Sequence, residues 1–267
     1  MLKKYLLLFT LGLLLPTSPV FGAVIQGPFS IETVSRNSYF VITIGGFLIL
    51  LLSLLVVMNK NSSNTFKITN FVLISVISLF VTFYLAGMTV FTNVRSETGG
   101  PVHWHADFKI YECGKEVRLK EPTGLSNRIG RTDLHEHGEK RIHVEGVVVN
   151  KTDVSLREFF RVIGGKLGYG ELLFPSRDGY NTSLVDGATC ENEQPATLQV
   201  FLYKTEGKEI RQTKLVDYPN YILSSESKVP PGDCIIFELS PNQKERTDQI
   251  CDFTSIAVNK GQYSLIK

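Results

Sequence analysis

No histidine occurs before position 103 or after position 143, no methionine after Met88, and no charged residue between Arg36 and Lys60 or between Lys67 and Arg95. Each absence excludes something. The cysteines never form a Cys-x-x-Cys, so the thioredoxin and zinc-ribbon signatures are missing. Neither H-E-x-x-H nor G-x-S-x-G occurs, which removes the zincin motif and the nucleophile elbow. A net charge of +2, with no basic stripe carrying interleaved aromatics, argues against a nucleic-acid partner. A methionine-poor C-terminal part disfavours a blue-copper centre and a thioether Cu(I) carrier.

The uncharged runs set the organisation of the chain. Met1–Ala23 has Lys3 and Lys4, an apolar stretch and small residues at Gly22 and Ala23, the plan of a secretory signal peptide over 1–23. Residues 38–58 and 70–92 are each long and apolar enough to be a transmembrane helix, and a helix satisfies its own backbone in lipid. The short connection between them holds Lys60 and Lys67 and no acid, which predicts a cytoplasmic turn. The bulk of the chain is then expected on the extracytoplasmic side of a cell membrane, with lipid as the anchor's partner. Neither run contains an ionisable residue, so the hairpin reads as an anchor rather than an ion path. Gly45-Gly46 offers a place for close helix packing.

All four cysteines, Cys113, Cys190, Cys234 and Cys251, follow the second run. In an oxidising compartment they predict two disulfides, with three connectivities open. The fold class expected is α+β: a mainly β outer domain of short strands plus one or two short helices, carried by the two-helix hairpin. Residues 99–170 form its histidine-rich part, with strands over Val102–Tyr111 and Arg141–Val149 and a loop over Glu121–Asp133. Ser155 and Glu158 make a capping-box pattern before a helix at Leu156–Ile163. A linker over Gly168–Thr189 leads to a second, β-grasp-like α+β part at 190–267. That part is expected to have strands at Thr197–Tyr203, Glu209–Leu215 and Cys234–Leu239, then a helix at Gln249–Val258 capped near Thr247.

The five histidines fall as His103-Trp-His105, His135-Glu-His137 and His143-Val-Glu145. Side chains at i and i+2 of a strand point to one face, so each pair aims two ligand-type groups in one direction. His103, His105, His135, His137, His143 and Glu145 are the expected ligands of a transition metal, with convergence on one position. Imidazole with a nearby carboxylate points to zinc or copper. Five rings exceed the four ligands of a closed zinc site, which leaves room for a spare ring or for two metals. A cupin reading fails, because no later histidine supplies its last ligand.

The run His103-Trp-His105-Ala-Asp-Phe-Lys-Ile110, the turn at Cys113-Gly114, Leu134-His135-Glu-His137, Ile142-His143-Val-Glu145 and Ser155-Leu156-Arg-Glu-Phe159-Phe160 form an ordered set. It resembles a pattern of uncharacterised exported or membrane-anchored prokaryotic proteins: H-x-H, then L-H-x-H, then I-H-[VI]-E, followed by a T-L-x-x-F-F helix start. The likeness covers about residues 103–165 and implies an architecture and a site, not a reaction. Many such proteins read H-T-H-D-x-x-G where this chain has His135-Glu-His137-Gly138-Glu139; if that aspartate is a ligand or orients one, Glu136 or Glu139 would have to replace it. Many read H-V-E-S where this chain has Gly146.

These readings favour a membrane-anchored metal-binding module, a carrier, sensor or buffer, over catalysis. The alternatives are a hydrolase using metal-bound water with Glu145 as general base, and a structural envelope protein stabilised by its metal.

Overall fold

The computed structural model describes residues 30–59, 61–190, 194–223 and 232–266. The expected signal peptide and Lys60 lie outside them. Two helices lead, α1 (Ile31–Met58) and α2 (Asn64–Arg95), each opened by a serine. Ser30 Oγ accepts from Thr33 N and Ser63 Oγ from Phe66 N, both at 3.2 Å. At 1.5 Å per residue, 28 and 32 residues are about 42 and 48 Å long, beyond the ~30 Å of a hydrocarbon core. A long apolar helix in a soluble protein is buried. Here only 6% of the apolar stretch of α1 and none of that of α2 is buried, so length, composition and exposure together suit a membrane. Of the glycine pair, Gly45 is the one at the contact: an added Cβ would lie 2.6 Å from Val81 Cγ2, whereas Gly46 has nothing within 4 Å. Lys67 lies in the first turn of α2 rather than in the loop.

The remainder is α+β. Strands β1 (Pro101–Glu112), β2 (Lys115–Val117), β3 (Ile129–Arg131), β4 (Leu134–Glu136) and β5 (Arg141–Val147) precede helix α3 (Leu156–Val162). Strands β6 (Lys166–Gly168), β7 (Glu171–Pro175), β8 (Asn181–Val185), β9 (Thr197–Glu206), β10 (Glu209–Leu215) and β11 (Asp233–Ser240) follow, then α4 (Asp252–Asn259) and β12 (Ser264–Ile266). One sheet runs β12-β10-β9-β11-β1-β5-β4-β3, with β2 pairing the far end of β1. Its centre is the parallel pair of β1 and β11, Ala106 opposite Asp233 through Glu112 opposite Leu239. The histidine-bearing strands and the strands after residue 190 therefore share one sheet.

Alternation along β1 sends its residues to two faces. Trp104, Ala106, Phe108 and Ile110 join a core closed by α3 (Leu156, Phe159, Phe160) and by β6–β8 (Leu167, Leu172, Phe174, Leu184). On the other face Tyr111 meets Phe201, Tyr203, Cys234, Ile236 and Cys251, beside α4. The histidines occupy the uncovered end of that second face.

Four expectations change. The stretch read as a linker is a three-stranded sheet, β6-β7-β8; Gly170, Gly179 and Gly187 sit in its turns at positive φ, Asn181 and Ser183 lie in β8 itself, and Leu172, Phe174 and Leu184 point inward. The loop over 121–133 contains β3, where Gly130 at φ 107° passes so close to β4 that a Cβ would meet Leu134 O at 2.6 Å. The capping box is half formed: Ser155 Oγ accepts from Glu158 N at 3.3 Å, but the Glu158 carboxylate turns to Arg131 and Arg161. The last helix starts at Asp252, not Gln249, because Cys251 is held to β11 and Thr247 caps only a local turn to Gln249 N at 3.0 Å.

The disulfides are Cys113–Cys190 and Cys234–Cys251, and no described cysteine is free. They close loops with sequence separations of 77 and 17. By loop-closure entropy the longer should contribute about 4.5 kcal/mol and the shorter about 3 kcal/mol. Denaturation of Cys113→Ser/Cys190→Ser and Cys234→Ser/Cys251→Ser variants is expected to reproduce that order; equal losses would contradict it.

The anchor meets the domain through charge. Glu32, in the first turn of α1, lies 3.9 Å from Arg131 and 3.6 Å from Arg161. The chain leaves the hairpin at the same end, where β1 starts at Pro101 shortly after α2 stops at Arg95.

Candidate metal centre

The site is built on three neighbouring antiparallel strands. In register, His105 of β1 faces His143 of β5, and His143 faces His135 of β4. One step along, His103 faces Glu145. His137 follows β4 directly. Strand alternation puts Trp104, Val144 and Leu134 in the core on the opposite face, and this burial fixes the register. A slip of one residue would put the histidines inside and the tryptophan out.

The imidazoles meet in pairs. His103 Nε2 and His105 Nε2 are 2.9 Å apart, and His135 Nε2 and His137 Nε2 are 3.1 Å apart. Two ligands on a tetrahedral zinc with ~2.1 Å bonds stand about 3.4 Å apart, so each pair is close to chelating distance. The rings of His105 and His143 have centroids 4.7 Å apart, and those of His135 and His143 are stacked at 5.4 Å. The ligand atoms form two triads, His103/His105/His143 and His135/His137/His143, each within 4.8 Å, that could hold a metal ion. All five rings thus share one face, but they gather in two groups around a common His143 rather than at one point.

Carboxylates and a carbonyl orient the rings. Glu139 Oε1 lies 2.5 Å from His143 Nε2, and Asn127 O lies 2.5 Å from His137 Nδ1. A carbonyl only accepts, so His137 carries its proton on Nδ1 and presents the Nε2 lone pair to the cluster. The same reasoning, with an ionised Glu139, leaves His143 Nδ1 as the lone-pair nitrogen. Metal-ligating histidines commonly donate their other N–H to such partners. Glu145 lies between the groups: Oε1 is 3.2 Å from His103 Nε2 and 3.7 Å from His143 Nδ1, and Oε2 is 4.0 Å from His135 Nε2. Nδ1 of His105, His135 and His143 is buried without a hydrogen-bond partner among the described residues. Leaving such nitrogens unsatisfied is costly in a native fold; at His143, whose Nε2 is taken by Glu139, a bound ion would take up the Nδ1 lone pair.

Of the two glutamates expected to stand in for the aspartate, Glu139 reaches the site. Glu136 points to the other side of β4 and accepts from Lys140 N at 2.9 Å, which holds the 137–140 turn in shape. That turn includes Gly138 at φ 89° and Lys140 at φ 62°, and it folds Glu139 back over β5. Gly146, at φ 98°, occupies a backbone conformation that serine rarely adopts. Asn127 contributes through its backbone, so no side-chain signal in the sequence could have found it.

Burial keeps the central rings neutral. His105 is held at about 4, first by burial and then by the charges of His143, Arg141 and His103. His135 and His143 are also lowered, burial again being the largest cause, with Glu145 and Glu139 respectively opposing it. A lowered imidazole binds protons more weakly in the folded chain than in the unfolded one. Stability without added metal therefore falls as pH drops below the ordinary imidazole value of ~6.5, while the lone pairs remain free for a metal well into mild acid.

No family model, curated protein or solved structure matches the chain. The assignment of a class, a β-rich domain with a histidine cluster on a two-helix apolar hairpin, thus rests on its own geometry.

Proposed function

We propose that the chain is a membrane-anchored extracytoplasmic protein that binds a transition metal, zinc or copper, through His103, His105, His135, His137, His143 and Glu145, in a carrier, sensor or buffer role. The observation that carries this reading is the placing of His143 between His105 and His135 on paired strands, with chelating pairs on either side. The order and spacing shared with the exported-protein pattern support the same residues. Binding is favoured over a purely structural metal because the cluster is half open: the His103 side chain is 62% exposed and Glu145 42%. A structural zinc site is closed by four ligands.

The two disulfides support an oxidising, extracytoplasmic location for residues 95–267. His103 is eight residues beyond Arg95, a reach of at most ~29 Å, so the cluster is tethered close to the membrane surface.

Full-length protein purified in detergent, without a histidine tag, is expected to carry or take up Zn(II) or Cu(II) at neutral pH by elemental analysis. Metal should be retained at pH 6 and released in stronger acid, once protons outcompete it for the imidazoles. No uptake at neutral pH would sink the proposal. A reporter fused after Lys267 should behave as exported; activity of a cytoplasm-only reporter there would reverse the topology.

A further inference from the structure

Five imidazoles and two carboxylates are more ligands than a single ion uses, and their geometry divides them. We infer that the cluster is a two-metal site. One ion sits on His103 and His105, the second on His135 and His137, with His143 between them and Glu145 spanning both through its two carboxylate oxygens. This inference rests on the metal-binding reading above.

Four observations carry it. First, no single group of the described ligand atoms collects all five rings; they separate into two triads, each within 4.8 Å, that share only His143. One ion drawing on every ring would have to pull β1 and β4 together across β5, and that spacing is fixed by the sheet, where neighbouring strands stay ~4.8 Å apart. Second, each outer strand brings its own chelating pair, Nε2 to Nε2 at 2.9 Å on β1 and 3.1 Å on β4. A one-metal site needs only one such pair plus His143, and the other would be redundant. Third, the oxygens of Glu145 divide between the groups, Oε1 towards His103 at 3.2 Å and Oε2 towards His135 at 4.0 Å. A carboxylate bridging two metals places one oxygen on each, and paired metal sites hold their ions about 3.5–4 Å apart.

Charge gives the fourth observation. Two dications at that distance repel strongly, so anionic groups must lie against them. Glu139 and Glu145 do so, both in contact with His143 or its neighbours and both part-exposed. The cations on this side are Arg128, felt by His135, and Arg141, felt by His105. Arg141 is turned away, bonded through Nε to Asp107 Oδ1 at 2.6 Å and stacked on the Phe253 ring with Cζ 3.8 Å from its centre. The two glutamates are the charged groups in direct contact with His143 and His103. The remaining positive charge would be met by a small anion on the exposed His103 side, the kind of open position that a closed one-metal site lacks.

The test is a Cu(II) titration of the full-length, tag-free protein in detergent, read by metal content and by electron paramagnetic resonance. The expected result is two equivalents of Cu(II), with the integrated signal well below that of two isolated ions because the shared carboxylate couples them. The His103→Ala/His105→Ala variant alters one exposed and one half-buried ring, neither part of the apolar core, and is expected to fold. It should take up one equivalent and show the full signal of an isolated Cu(II). Glu145→Gln should weaken the coupling in any protein that still holds two ions. One equivalent in the unaltered protein, or two with an uncoupled full-intensity signal, would overturn the inference while leaving the metal-binding reading intact. No uptake would overturn both.

Discussion

Alanine at His143 is expected to lower zinc and copper affinity by more than ~100-fold, the largest loss at any single position of the cluster. His143 is the one ring common to both triads, and its strand lies between the other two ligand-bearing strands. Removing it leaves each pair with Glu145 alone as a further protein ligand, short of the four positions of a zinc site. Changing a partner that only orients a ligand typically costs about 10–100-fold. Glu139→Gln should fall in that range, because the amide keeps the size of the carboxylate and loses the charge that holds His143 Nε2 at 2.5 Å. Isothermal titration with Zn(II) on the two variants checks both values, with thermal unfolding as the control for fold. If His143→Ala binds as tightly as the unaltered protein, the shared-ring geometry has no part in metal capture.

Phe159→Ala should cost roughly 3–5 kcal/mol of stability and leave metal affinity nearly unchanged in the protein that remains folded. Phe159 is fully buried, with ring centroids 5.6 Å from Phe108 and 5.3 Å from Phe160. Phe160 in turn lies 5.2 Å from Phe237. This aromatic chain ties α3 to β1 and β11 on the face of the sheet opposite the histidines. Truncation leaves a cavity that rigid strands cannot collapse, and at 2–4 °C per kcal/mol the melting temperature should fall by roughly 10 °C. A fall in metal affinity as large as that of Glu139→Gln, measured well below the transition, would mean that the two faces are coupled through the sheet.

The parts of this protein legible in its sequence are those governed by near neighbours along the chain. Two uncharged runs imply two long apolar helices because the hydrocarbon thickness sets a length that composition reveals directly. Ser155 before Leu156 marks the start of α3 because an N-cap acts three residues away, at Glu158 N. The three i, i+2 pairs put their ligands on a common face because a strand alternates with period two whatever its surroundings. Where local signals mislead, a tertiary constraint outweighs them. Gly, Ser and Asn between 168 and 189 suggest a linker, yet Leu172, Phe174 and Leu184 find a core to fill and make β6–β8.

Pairing across long separations is a different matter. That His143 faces both His105 and His135 follows from the registers of β1 with β5 and β4 with β5, set by burial of Trp104, Val144 and Leu134 beneath α3. That the strands before and after the α3 region form one sheet depends on β1 meeting β11, more than a hundred residues away. Which cysteines join depends on which ends of those strands come within bonding reach. That Glu139 rather than Glu136 turns to the rings depends on a turn whose residues adopt positive φ at 138 and 140. From its sequence alone this chain was committed to two apolar helices, a β-rich remainder and three ligand pairs, each on one face of a strand. The tertiary structure alone decided that the pairs lie side by side around His143, because that adjacency comes from packing and register between distant segments, to which local periodicity is blind.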